Sequence, residues 1–173
     1  MKNLKTTGTL IAMVWVFLSS TLTAQISAKE LTTAWDNMTS MVVETAKAMP
    51  SEHYTYKPTT ELRDFASQIG HTTGANYLFA SVVKLERPKK MPTTKSKNKA
   101  KVVQELQDSF AFIRTGMSKL TPEDLNENIE FFGRKMSRMQ SILIMTSHLQ
   151  REHGKTTIYT RLKKTAPGKT KGW

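Results

Sequence analysis

Three histidines are the residues of this 173-residue chain whose types and placement favour metal chemistry. His71 lies within one predicted helix, and His148 and His153 lie within another helix far along the chain. Metal ligands in helical bundles come from facing helices and project into the core between them. One histidine from one helix and a pair from another would leave coordination positions open. The fourth histidine, His53, falls in a link between helices and is expected to be a surface residue.

The spacing of His148 and His153 argues against a simple three-histidine site. Two ligands on one helix face are normally four residues apart, as in the His-x-x-x-His pattern of helical zinc sites. His148 and His153 are five residues apart, which separates them by about 140° around an ideal helix. A single interior histidine is more often a core residue than a ligand. Composition and spacing alone therefore do not decide whether the chain binds a metal.

The composition excludes thiol chemistry and shows where the charge lies. The chain has no cysteine, so disulfide bonds, a catalytic thiol of its own and cysteine-based zinc sites are all excluded. The formal net charge is +12, and the basic residues are concentrated in the stretch 87–101 and in the tail 161–171. Neither stretch has the interleaved aromatic residues on which single-stranded nucleic acid stacks. We interpret the first stretch as a solvated loop and the second as a solvated tail.

The N-terminal segment has the plan of a secretory signal peptide. Lys2 and Lys5 precede an apolar run at 10–18, and small residues follow as far as Ala24. The apolar run is short for a membrane span, which needs about 20 residues. Cleavage is expected after Ala24, or as late as Ala28. The alternative is an uncleaved anchor, which would be the chain's only membrane contact. In either case the domain is expected to be exported, to the periplasm or the exterior.

Apolar residues at three- and four-residue steps predict four helices and no strand. The predicted helices cover residues 31–49, 59–85, 99–120 and 134–164. The second helix carries His71 on a stripe with Ala75, Leu78 and Val82, so this histidine faces the interior or its edge. The pattern is typical of an all-α four-helix bundle. Such a bundle would occupy residues 29–164, with a basic tail at 165–173.

Three separated segments, taken in order, resemble the DinB (DinB/YfiT-like) family of metal-binding four-helix bundles. The first is Ala48–Glu52 with Tyr54 and Lys57-Pro58, and the second is Leu62–His71 with Ala75-Asn76-Tyr77. The third is His148–Gly154 followed by Tyr159–Leu162. Each segment is weak evidence alone, but the ordered set covers nearly all of the chain after the signal. The resemblance implies a DinB-like bundle.

The resemblance also implies a divalent ion (zinc, nickel or iron) held by one histidine of the second helix and two of the fourth. His71 and His148 match two of these positions. In an alignment without gaps from Gly154, Tyr159 and Arg161, Glu152 falls where the family has its last histidine. Glu152 is four residues after His148, and a carboxylate oxygen is an acceptable ligand.

His153 remains the alternative third ligand, and it would require a wide turn of the π type between it and His148. The geometry favours Glu152 modestly. A third alternative is that the site has been lost and the bundle is purely structural.

Two functions follow from these observations, and whether the protein is an enzyme stays open. Relatives of this fold include thiol-dependent transferases, so the first is a metal-dependent hydrolase or transferase acting on a small molecule. The second is a non-catalytic binding module of the cell envelope, whose lysine-rich loop and tail hold an anionic polymer. Export argues against nucleic acid as a partner. A homodimer is an open alternative.

Overall fold

The computed structural model describes residues 26–91 and 95–168. The predicted signal segment, residues 1–24, and the end of the tail lie outside the described residues. The elements, in chain order, are helix α1 (Ala28–Ala48), helix α2 (Phe65–Leu78), helix α3 (Lys99–Met117), helix α4 (Pro122–Asn126), strand β1 (Asn128–Phe131), strand β2 (Arg134–Ser137) and helix α5 (Arg138–Leu162). Short 3-10 segments follow α1 and α2. None of the described helices is long and apolar enough to cross a membrane.

Helices α1, α2, α3 and α5 pack together as the predicted all-α four-helix bundle. Helix α3 packs against α1 and α2, and α5 packs against the same two helices. The core between them is apolar and includes Trp35, whose indole N–H donates to the Phe110 carbonyl oxygen at 3.1 Å. With no disulfide available, burial of this apolar core is the main force that holds the helices together.

Helix α2 begins six residues later than the sequence pattern predicted, because of its cap. The Asp64 carboxylate accepts a hydrogen bond from the Ser67 backbone N–H at 2.7 Å and so satisfies a donor of the first turn. The preceding residues, 59–63, are not helical. This N-cap fixes the rotation of α2 directly before the turn that carries His71.

A β-hairpin occupies the place where we predicted the start of the fourth helix, so the prediction of no strand is wrong. β1 pairs antiparallel with β2, and the turn residues Phe132 and Gly133 both have positive φ angles, 48° and 74°. These angles are those of a type I′ turn. Helix α5 therefore starts at Arg138, with Ser137 and Gln140 forming a capping box.

Lys97 and Lys99, both in the basic stretch 87–101 that we predicted as a solvated loop, contact the bundle, and Lys99 is itself the first residue of α3. The Lys97 ammonium donates to the Asp64 carboxylate and the Ser67 hydroxyl. The Lys99 ammonium donates to the carbonyl oxygens of Lys47 at 2.6 Å and Met49 at 2.9 Å, where α1 ends. Cations at a helix C-terminus satisfy carbonyls that lack partners within the helix.

Candidate metal centre

Helices α2 and α5 pack against each other and bring three candidate ligands together. The nitrogen and oxygen atoms of His71, His148 and Glu152 that could bind an ion all lie within 4.8 Å of one another. The Glu152 carboxylate is 4.0 Å from His71 Nε2 and 3.9 Å from His148 Nε2. His148 and Glu152 share a face because they are one helical turn apart on α5.

The Glu152 carboxylate is the buried centre of this cluster, with 1% of its surface exposed. It accepts a hydrogen bond from Gln68 Nε2 at 2.6 Å. The Lys155 ammonium lies 2.8 and 2.9 Å from its two oxygens, and Arg151 Nε lies 3.2 Å from one of them. Burial alone would raise the pKa of the Glu152 carboxyl, but these hydrogen bonds outweigh burial and lower that pKa to about 2. The carboxylate is therefore ionised at neutral pH.

Both histidines of the cluster are neutral at pH 7. Burial lowers the pKa of His71, and the positive charge of Arg63 lowers it further, whereas Glu152 acts in the opposite direction. Burial also lowers the pKa of His148, whose ring lies between those of His71 and Phe79, with centroid distances of 5.4 and 5.6 Å. A neutral imidazole keeps the lone pair that metal coordination requires.

The structure places His153 away from the cluster. Its Nε2 lies 3.0 Å from the Thr45 hydroxyl, at the contact between α1 and α5. The same hydroxyl accepts a hydrogen bond from the Gly168 backbone N–H at 3.1 Å. Helix α5 is α-helical throughout, without the π turn that would carry His153 to the side of His148. His53 lies in the 3-10 segment after α1 and is also outside the cluster.

The three side chains could hold a divalent ion. Zinc binds histidine nitrogen and carboxylate oxygen at about 2.0–2.2 Å, so tetrahedral ligand atoms lie roughly 3.4 Å apart. The separations of 3.9 and 4.0 Å in the cluster are wider by only about half an ångström, which side-chain rotation can close. Two imidazoles and one carboxylate are a donor set that zinc and non-haem iron accept with positions left open.

Sequence reasoning missed the residues that surround the cluster. Gln68 is three residues before His71 and thus on the same face of α2, and Lys155 is three residues after Glu152 on α5. This helical spacing was the available signal. It could not be used until the buried carboxylate had been identified, since polar residues at such positions usually face solvent.

Comparisons with known proteins show the family and the fold. A sequence model of the DinB superfamily matches residues 31–155, which include all three residues of the cluster. The fold is similar to a crystal structure of a DinB-like protein from Bacillus cereus, with a TM-score of 0.71 and 15% sequence identity over 83% of this chain and 97% of that chain. No curated protein matches the chain. The match to the superfamily covers well over half of the residues, and this chain belongs to the DinB superfamily.

Proposed function

We propose that this protein is exported and binds a divalent ion between α2 and α5 through His71, His148 and Glu152. The observation that carries the proposal is a fully buried, ionised carboxylate beside two neutral imidazoles. Lys155 and Arg151 already balance the charge of the Glu152 carboxylate, so the argument for an ion rests on the donor set: an anionic oxygen lies beside two imidazoles whose neutral nitrogens can coordinate a metal. Zinc, nickel and iron(II) all accept this donor set.

The reaction proposed is hydrolysis or group transfer on a small molecule. A bound ion of this kind lowers the pKa of a coordinated water or polarises a substrate oxygen. Gln68 orients the Glu152 carboxylate, and Phe79 limits rotation of the His148 ring. The chain has no cysteine, so the nucleophile is not a thiol of the protein, and water activated by the ion is the nucleophile that we propose.

Export is part of the proposal and is supported by the basic and apolar segments that precede Ala24. The first helix begins with Ser27 as its N-cap, and the Ser27 hydroxyl and Glu30 carboxylate form a capping box. Cleavage after Ala24 would keep this cap, whereas cleavage after Ala28 would remove it. We therefore favour Gln25 as the first residue of the mature chain.

The metal proposal is tested by calorimetric titration of the metal-free mature chain with zinc, nickel and iron(II). One ion per chain is expected to bind, and His71→Ala, His148→Ala and Glu152→Gln are each expected to weaken binding by about 10-fold or more, a scale typical of lost ligands or their supports. His153→Ala and His53→Ala are the matched controls and should bind as the parent does. Loss of binding in His153→Ala with Glu152→Gln unchanged would overturn the assignment.

A further inference from the structure

A cleft of about 450 Å³ opens beside the metal cluster, between α5 and the segment that leads into α2. Its wall includes Gln68 and Lys155, two residues whose side chains donate to the Glu152 carboxylate. The cleft therefore adjoins the cluster through these two side chains. Its volume falls in the range of small-molecule sites, about 300–1,000 Å³.

The cationic side chains of this region outnumber its carboxylates. Arg63 lines the cleft and is exposed, and its guanidinium forms no ion pair within the described parts of the chain. Lys155 lines the cleft as well, and Arg151 flanks Glu152. Glu61, also in the wall, accepts a hydrogen bond from the Thr60 hydroxyl at 2.7 Å.

The positive excess grows if the ion binds. Three cations stand against two carboxylates, and a divalent ion would add two further charges. An arginine that lines a cleft and has no carboxylate partner is suited to recognise a carboxylate or phosphate, because its guanidinium matches both in geometry.

The remaining wall of the cleft is apolar. Leu62 and Ile158 both line it, and 46% and 57% of their surfaces are exposed. Exposed apolar side chains inside a concave site gain free energy when a ligand covers them, at roughly 25 cal/mol per Å² of apolar area. The ligand should therefore carry an apolar body next to its charged group.

We propose that this cleft binds the anionic group of a substrate with a small apolar body, and that Arg63 and Lys155 are the residues that recognise it. This inference rests on the proposed function, because it places the rest of the substrate against the ion at Glu152. Carboxylates and phosphate esters share the required chemistry. Arg63 is the better probe of the two residues, since it does not contact Glu152.

The test is calorimetric titration of the mature chain with phenyl phosphate and with benzoate, in the presence and absence of nickel. Benzyl alcohol is the neutral control ligand. At least one of the anions is expected to bind, and the anion preferred identifies the substrate class. Arg63→Met should weaken anion binding about 10-fold, while nickel binds no more weakly than in the parent, because the charge removed is one that repels the ion. Lys119→Met, at an exposed position after α3, is the matched control and should behave as the parent does.

The outcomes separate the two proposals. Anion affinity that is the same in Arg63→Met and in the parent overturns the cleft assignment, and so does equal binding of benzyl alcohol. Nickel binding by the parent without any anion binding overturns the cleft assignment and leaves the metal proposal intact. Anion binding that is lost in Arg63→Met, in a parent chain that binds none of nickel, zinc and iron(II), supports the cleft and overturns the metal proposal.

Discussion

At the scale of single residues, Lys155 occupies the oxygens that an ion would need. Its ammonium lies 2.8 and 2.9 Å from the two Glu152 oxygens, with 44% of the side chain exposed to solvent. The ammonium therefore has a route to solvent when another cation takes its place. The carboxylate, at 1% exposure, has no such freedom.

We predict that Lys155→Met raises the affinity for a divalent ion by about 10-fold, equivalent to about 1.4 kcal/mol. Removing the ammonium frees lone pairs on Glu152 and removes a repulsive charge. The measurement is competitive titration against a chelator, and Lys155→Arg, which keeps the charge, is the control. An unchanged or weaker affinity in Lys155→Met would contradict the prediction.

The stability of the metal-free protein should fall as the pH falls below about 6.5, the usual pKa of an unfolded histidine. Burial lowers the pKa of His71, His148 and His153 in the folded state. Between the folded and unfolded pKa values, the unfolded chain binds more protons, so acid favours unfolding. Glu152 adds a second loss as the pH falls from its ordinary value of 4.5 towards about 2.

Urea unfolding of the metal-free chain between about pH 8 and pH 4 measures this effect, since it spans the ordinary pKa of histidine. His153→Gln should flatten the dependence below about pH 6.5, because it removes one of the three groups. His53→Gln is the control, since His53 lies outside the core. A free energy of unfolding that stays constant from about pH 7 to pH 5 would contradict the assignment of partly buried, neutral histidines.

At the scale of elements, the helices were predictable because their apolar residues recur with the helical period. The Phe132-Gly133 turn was not predictable in this way, because it lacks the Asn-Gly or Asp-Gly pair that is the strongest local signal of a hairpin. Asp64 could have marked the true start of α2, but the threonines at 59 and 60 also offer capping hydroxyls. In the structure α2 starts after Asp64, whose cap acts together with the packing of Tyr54 against Phe65, whose ring centroids are 5.2 Å apart.

The hairpin turn leads to a prediction about backbone conformation alone. Gly133 has a φ of 74°, and a Cβ added there would meet no atom within 4 Å, so Gly133→Ala should cost about 1 kcal/mol through strain and not through a clash. Gly154 lies inside α5 and also has open space around it. Gly154→Ala should stabilise by up to about 1 kcal/mol. Thermal unfolding should therefore give a lower Tm for Gly133→Ala and a higher Tm for Gly154→Ala than for the parent.

At the scale of the whole molecule, the cluster depends on contacts that no local pattern contains. His71 and His148 could be placed on facing helices from periodicity and from resemblance to the family. Two features distinguish Glu152 from His153 as the third residue of the cluster. Helix α5 is regular, and His153 contacts Thr45 of α1 instead of the cluster. The cleft depends equally on Arg63, which lies before α2 and is brought to the cluster only when the bundle packs.

The bundle has a core independent of the cluster, so an ion should add stability without being needed for folding. A ligand that binds only the folded state stabilises it by about 2.7 kcal/mol at a concentration of about 100 times its Kd. For a chain of this size, each kcal/mol raises Tm by about 2–4 °C, so saturating zinc or nickel should raise Tm by roughly 5–10 °C. Glu152→Gln, with binding weakened about 10-fold or more, should reduce this shift to about half or less. Magnesium should give no shift with the parent. An equal shift in Glu152→Gln would show that the ion binds elsewhere on the molecule.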